Sequence, residues 1–243
     1  MKAIEAAISP LTNAHMPAVL WKMSTLFAEW ISSRDNVLFH ESVLNSESLV
    51  LEIGCGVSGL VGLALAPWVG RYIATDQDYV LKILRRNIEE NSTSPKPMRA
   101  HKHVGKSTLA GPSPAVAGTN IEAMLLDWEE SSVTSLPGVL GKNGLDNFDA
   151  IVACDCIYND ALISPFVRTC SELCRLGNGV EHGRPTVCLV AQQLRSPEVF
   201  EAWILEFHKT FKVWRIPDEL LMNGLKDNPG FVIHIGILRD PRR

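Results

Sequence analysis

The sequence predicts an α/β fold: a Rossmann-like doubly wound sheet, mostly parallel, with an antiparallel C-terminal strand pair and helices on both faces. Three observations predict it. Short apolar runs alternate with amphipathic stretches from residue 48 to residue 211, the pattern of parallel strands joined by crossover helices. The first run leads directly into Gly54-x-Gly56-x-x-Gly59, a strand-to-helix turn. The last two apolar runs, 212–216 and 231–238, have no helical stretch between them and therefore read as an antiparallel pair.

The elements follow in order. Val19, Leu20, Met23, Leu26, Phe27 and Trp30 recur at three- and four-residue intervals, which predicts a first helix ending near Ile31. Residues 48–53 form a strand rich in Leu, Val and Ile, and 58–67 a short helix. A second strand, 71–75, ends at Asp76, and 79–91 carry apolar Val80, Leu81, Ile83, Leu84 and Ile88 on a helix. Residues 92–120 are dense in Ser, Thr, Pro and Gly without periodicity, and read as a long mobile insertion. Strands follow at 121–126, 148–154 and 186–191, with loop-like sequence at 129–147 and helices at 162–176 and 197–211, the last opening on Pro197. There is no internal repeat and no second core, so the expected organisation is an N-terminal helical extension, 1–47, packing on one domain, 48–243.

Composition narrows the classes. The chain has 243 residues, enough for one full core, and 21% of them are charged. A net charge of -4 gives no nucleic-acid footprint and is compatible with a basic protein partner. No apolar run reaches the roughly 18 residues of a membrane span, and the first ten residues lack an apolar signal core. The six cysteines form no C-x-x-C pair, which points to a reducing compartment. His101 and His103 read as a solvated loop pair, and no metal is expected.

The chemistry concentrates at strand ends. The glycine loop alone is a weak signal; Asp76, closing the next strand, stands where a ribose would offer two hydroxyls. Together they imply an adenosine-containing cofactor. Glu52, two residues before Gly54, would repel a pyrophosphate, whereas an acidic rim suits a cationic cofactor such as S-adenosyl-L-methionine. Asp127 and Trp128, after the third strand, suit adenine, with Trp128 offering a flat apolar face. The fourth strand ends in Cys154-Asp155-Cys156-Ile157-Tyr158 beside the first strand, where ligands of open α/β sheets bind. A nicotinamide oxidoreductase, a methyltransferase for small molecules or nucleic acid, and a non-catalytic binding module stand as alternatives.

Leu51-Glu52-Ile53-Gly54-x-Gly56, Asp76, the Asp127-Trp128 pair and Asp155-x-x-Tyr158 together resemble the class I lysine methyltransferases named for their D-x-x-Y motif, and Trp21 to Phe27, Gly59-Leu60, Thr75-Asp76-Gln77 and Ile157-Tyr158-Asn159-Asp160 resemble within them a fungal branch that methylates a lysine of a large-subunit ribosomal protein. Trp21 resembles the Trp on the helix that precedes the family's first strand. The resemblance runs from about Pro17 to Leu238. It implies an S-adenosyl-L-methionine-dependent protein-lysine N-methyltransferase, monomeric, in the cytoplasm or nucleus, acting on a ribosomal or other translation-related protein without binding nucleic acid directly. Trp21, Glu52, Gly54, Cys55, Gly56, Asp76, Gln77, Asp127, Trp128 and Cys154 would hold the cofactor. Asp155 would capture and orient the lysine, and Tyr158 would wall its channel. Two departures stand out: one extra residue before Gly59, and the insertion at 92–120.

Overall fold

The computed structural model describes residues 22–92, 120–129, 133, 147–176, 184–226 and 230–239. Trp21, His101, His103 and almost all of the 92–120 insertion lie outside them.

Helix α1 (Lys22–Ser32) buries Met23, Phe27, Ala28, Trp30 and Ile31 along one stripe. Asn36 joins it to the four-residue helix α2 (Val37–His40). The Asn36 amide donates to the Trp30 and Ile31 carbonyls, closing α1, while its oxygen accepts from the Leu38 and Phe39 N–H groups and opens α2. β1 (Leu49–Ile53) is buried along its whole length. The glycine loop then leads into α3 (Leu60–Leu65), β2 (Arg71–Asp76) and α4 (Asp78–Ser92). β3 (Ile121–Leu125) and β4 (Ala150–Cys154) follow, then α5 (Ile163–Arg175) and β5 (Val187–Gln193). Ser196 caps α6 (Pro197–Thr210) by accepting from the Val199 N–H, with Pro197 in the first turn. β6 (Phe211–Arg215), α7 (Asn223–Lys226) and β7 (Phe231–Leu238) complete the order.

The seven strands lie in the order β3-β2-β1-β4-β5-β7-β6. β1 pairs in parallel with both β2 and β4, and β7 runs antiparallel to β5 and β6. Strand alternation divides the core between two faces. Val50, Tyr72, Ala74 and Val152 face a layer containing α1, α3 and α4. Leu51, Ile53, Ile73 and Ile151 face α5 and α6, where Phe166, Cys170, Trp203 and Phe207 are buried. Asp149, the lone acid in the predicted fourth strand, precedes β4 and accepts from the Leu49 N–H at the end of the sheet away from the glycine loop. All six cysteines are buried free thiols.

Elements that the sequence reading placed are present, with ends shifted by a residue or two. The short helices α2 and α7 were not anticipated; four residues carry too little periodicity to register. Order reverses between β1 and β4, with the chain leaving β1 toward β2 on one side and returning to β4 on the other. Ligands of doubly wound sheets bind at such a switch point.

Candidate active site

The loop after β1 is built from left-handed backbone. Gly54, Gly56 and Gly59 have φ of 66°, 66° and 56°, a region that side chains with a Cβ enter at a cost of about 1–2 kcal/mol. The three differ in their surroundings. A Cβ on Gly54 would lie 2.8 Å from the Trp128 ring and 2.9 Å from the Cys156 sulfur. One on Gly59 would lie 2.8 Å from Leu84 of α4, so the residue after the extra position packs against a neighbouring helix. Nothing stands within 4 Å of the Gly56 position, which leaves an open cradle over its backbone.

Beside that cradle is a cavity of about 160 Å³, lined by Glu52, Gly54, Cys55 and Gly56 from the first strand and its loop, Ser24 from α1, and Cys154 and Asp155 from the end of β4. A larger hollow of about 570 Å³ lies at the other end of α1, among Trp30, Asn36, Trp68 and Leu221, and includes none of the predicted site residues.

Glu52 corrects one expectation. It is not on a rim; its side chain is only 1% exposed, beneath the loop. Alternation along β1 turns it toward the α1 and α3 layer, where Tyr72 Oη donates to its Oε2 at 2.8 Å. Burial raises the Glu52 pKa from 4.5 to about 8; the Tyr72 hydrogen bond lowers it and the nearby Asp76 charge raises it. At neutral pH the carboxyl therefore holds its proton unless a cation joins it in the cavity.

Asp76 ends β2 half-buried. Its Oδ2 accepts from the Gly56 N–H at 2.7 Å and its Oδ1 from the Gln77 N–H at 2.8 Å. It thus fixes the glycine loop and keeps a free lone-pair direction on each oxygen. Burial raises its pKa, the two backbone hydrogen bonds oppose the rise, and the Asp127 charge adds to it. The Gln77 amide donates to Asp127 Oδ2 at 2.9 Å, so Asp76, Gln77 and Asp127 form one continuous polar edge. Trp128 turns its ring under the loop, against Gly54 and edge-on to Phe166 at 6.1 Å, rather than outward as a free flat face. Its Nε1 is buried without a hydrogen-bond acceptor.

Asp155 has φ of 61°, a conformation unusual outside glycine and frequent at functional sites. Its side chain is 4% exposed. Oδ1 accepts from the Gln193 N–H at 3.2 Å, and Arg195 grips both oxygens. The carboxylate expected to capture a lysine is thus already held by a guanidinium. Tyr158 is 68% exposed and lines a second, adjoining hollow with Gln193, Arg195 and Phe200. Cys154 lies 3.7 Å from the Ser24 hydroxyl, and burial raises its pKa.

Four residues of this site escaped the sequence reading. Cys156 supports the loop through its contacts with the Ile53 and Gly54 carbonyls at 3.2 and 3.6 Å. Ser24, Tyr72 and Arg195 come from other elements, and their only sequence signals are a polar residue on a buried helix stripe, a hydroxyl inside an apolar strand, and a cation just after β5.

The donor set fits S-adenosyl-L-methionine. An open cradle over Gly56 and a carboxylate bonded to the Gly56 N–H suit an adenosine moiety, and a buried carboxyl with no cationic partner among the described residues suits an ammonium or sulfonium group. The fold is Rossmann-like, with the strand order reversing beside the site. The solved O-methyltransferase from Bacillus cereus in complex with SAH shares the fold at 13% identity and a TM-score of 0.56, covering 98% of this chain and 91% of that one. Residues 5–110 match the family model described as lysine methyltransferase. Ribosomal lysine N-methyltransferase 5 of Zygosaccharomyces rouxii is 29% identical over 214 residues, covering 82% of this chain and 67% of that protein. A Schizosaccharomyces pombe protein named diaminohydroxyphosphoribosylamino-pyrimidine deaminase is also 29% identical, over 196 residues, covering 81% of this chain and 38% of that protein. The chain is thus similar to the lysine methyltransferase family over residues 5–110 and to ribosomal lysine N-methyltransferase 5 proteins over most of its length. It spans only part of the length of these relatives, 63% of the one from Candida glabrata. No helix among the described residues is long and apolar enough to cross a membrane.

Proposed function

We propose that the chain is an S-adenosyl-L-methionine-dependent N-methyltransferase that modifies a lysine of a ribosomal or other translation-related protein in the cytoplasm, with residues 48–243 forming the catalytic domain and 1–47 an extension packed on it. The observation that carries the reading is Asp155: a strained acid ending the strand beside β1, on the wall of the cavity that Glu52 and Gly56 also line.

The cofactor supplies an electrophilic methyl group when bound. Asp76 would accept from the ribose hydroxyls, Gln77 and Asp127 would form the adenine edge, Gly56 would admit the ligand against backbone, and Glu52 would meet its cationic end. Asp155 and Tyr158 would orient the lysine. The amine must reach the methyl group neutral, which for a free pKa of about 10.4 costs roughly 4–5 kcal/mol at neutral pH. A cationic cofactor offsets much of this, since a unit charge about 4 Å away contributes on the order of 4 kcal/mol at an effective dielectric near 20. Alignment would supply much of the rate.

The test is incubation with methyl-labelled cofactor and a cell extract fractionated into ribosomal and soluble pools. The label is expected on ribosomal protein, as methylated lysine after hydrolysis. Label confined to RNA or small molecules would overturn the reading. Asp155→Ala should abolish transfer while cofactor affinity by calorimetry stays within about threefold, whereas Asp76→Ala, losing charge-assisted hydrogen bonds, should weaken that affinity tenfold or more.

A further inference from the structure

Arg195 lies just past β5, ahead of the Ser196 cap of α6. Its Nη1 donates to Asp155 Oδ1 at 2.8 Å, while Nη2 reaches Asp155 Oδ2 and also Gln193 Oε1 at 3.0 Å. A planar guanidinium makes this two-pronged grip; an ammonium does not. The same side chain lines the hollow that Tyr158 lines, whereas Asp155 lines the loop cavity. Arg195 thus connects the two halves of the D-x-x-Y motif and stands where an incoming lysine would meet the acid.

An uncompensated carboxylate would hold that lysine as an ammonium, since an opposite charge within about 4–6 Å shifts a pKa by about 1–3 units toward the charged form. That would tighten substrate binding and oppose the reaction. We propose that Arg195 is a positioning residue that cancels the Asp155 charge, so that the site accepts the substrate lysine as a neutral amine. This rests on the lysine-methyltransferase reading above. Around the pair, β1 and its loop contribute Glu52 and Cys55, the end of β4 contributes Cys154 and Tyr158, and α1 contributes uncharged Ser24. Lys22, over the ring of Phe231, is the cation near the register partner of Gln193. Among these, Arg195 is the one described cation bonded to Asp155.

The experiment compares wild type, Arg195→Gln and Arg195→Lys at saturating cofactor, with salt-washed ribosomal subunits as methyl acceptor, from pH 6 to 10. Gln keeps a donor and removes the charge; Lys keeps the charge and loses the two-pronged geometry. Arg195→Gln is expected to lower KM several-fold, to lower kcat at pH 7 tenfold or more, and to move the rising limb of the pH profile up by about 1–2 units. Arg195→Lys should keep the limb within about half a unit of wild type, because the charge remains. The three Arg195 states are also compared on a Glu52→Gln background, which removes that group's titration from the profile. A Gln variant with raised KM and an unmoved limb would overturn the proposal, leaving Arg195 a structural anchor. If the Gln variant fails to fold, wild type decides. Its affinity at pH 7 for the labelled segment as a synthetic peptide should be no higher with lysine than with norleucine at the modified position, because the bound amine must first lose its proton, and a clear preference for lysine would overturn the proposal. Absence of any transfer to ribosomal protein by wild type would instead remove the functional reading itself.

Discussion

Glu52→Gln removes an acid while keeping its shape and its acceptor for the Tyr72 hydroxyl. In the wild type, burial lifts the pKa of Glu52 to about 8, from 4.5. At pH 7 the protonated form is then favoured about tenfold, and at pH 6 about a hundredfold. A cationic ligand in the cavity favours the ionised form, so its binding releases a proton. Below the raised pKa, affinity for S-adenosyl-L-methionine should rise with pH, at most about tenfold per unit. Calorimetry at about pH 5.5, 6.5 and 7.5, below the ordinary α-amino range of ~7.7–8.0, measures the slope, and buffers of differing ionisation enthalpy count the proton. Glu52→Gln should flatten both. His234, whose pKa burial lowers to about 4, does not titrate in this window. The same shift governs folding. A carboxyl whose folded pKa is raised binds its proton more tightly in the native state than in the unfolded one. Its stabilising contribution is therefore complete below about pH 4.5 and declines as pH rises toward 8, by roughly 5 kcal/mol over the interval. Glu52→Gln should lose that part of the pH dependence in denaturant titrations. Equal wild-type affinities at pH 5.5 and 7.5, with no proton released, would refute the reasoning that places a cation against Glu52.

Two further predictions follow from the loop and its support. Gly54→Ala and Gly56→Ala share the left-handed strain, but only at Gly54 does the new methyl meet Trp128 and Cys156. Gly54→Ala should therefore lower stability by roughly 2–4 kcal/mol, whereas Gly56→Ala should cost about 1–2 kcal/mol and weaken cofactor binding by filling the cradle; equal loss of stability in the two would contradict the geometry. Tyr72→Phe leaves the buried Glu52 carboxyl without its donor and should destabilise the fold by about 1–3 kcal/mol. It should also move the proton-release profile of cofactor binding to higher pH, because that hydrogen bond lowers the Glu52 pKa.

Much of the fold was legible because each element buries a recognisable pattern. The run at 49–53, apolar except for Glu52, is buried at every position, as a central parallel strand requires. The lack of a long amphipathic stretch between 216 and 231 predicts the antiparallel pair; the four-residue α7 that forms there is too short for a crossover, and β7 lies between β5 and β6. The strand ends bearing Asp76 and Asp155 could be located in the same way, since the topology brings the carboxyl ends of β1, β2 and β4 to one edge. Trp128 was legible as an aromatic beside the loop but not in its orientation. Its ring packs under Gly54 against Phe166, a contact 38 residues away in the chain.

By itself, the sequence determined the α/β class, the glycine turn after β1, and the acids at the strand ends, because period and residue type are local properties that act over one element. Tertiary structure decided the electrical state of those acids. Glu52 is an acid in the sequence and a buried carboxyl that holds its proton in the fold, because β1 turns it into the core beside Tyr72. Asp155 is a lysine-capturing acid in the sequence and a paired carboxylate in the fold, because the end of β5 brings Arg195 to it across 40 residues of chain. Burial and partner set charge, and both depend on segments that only packing brings together.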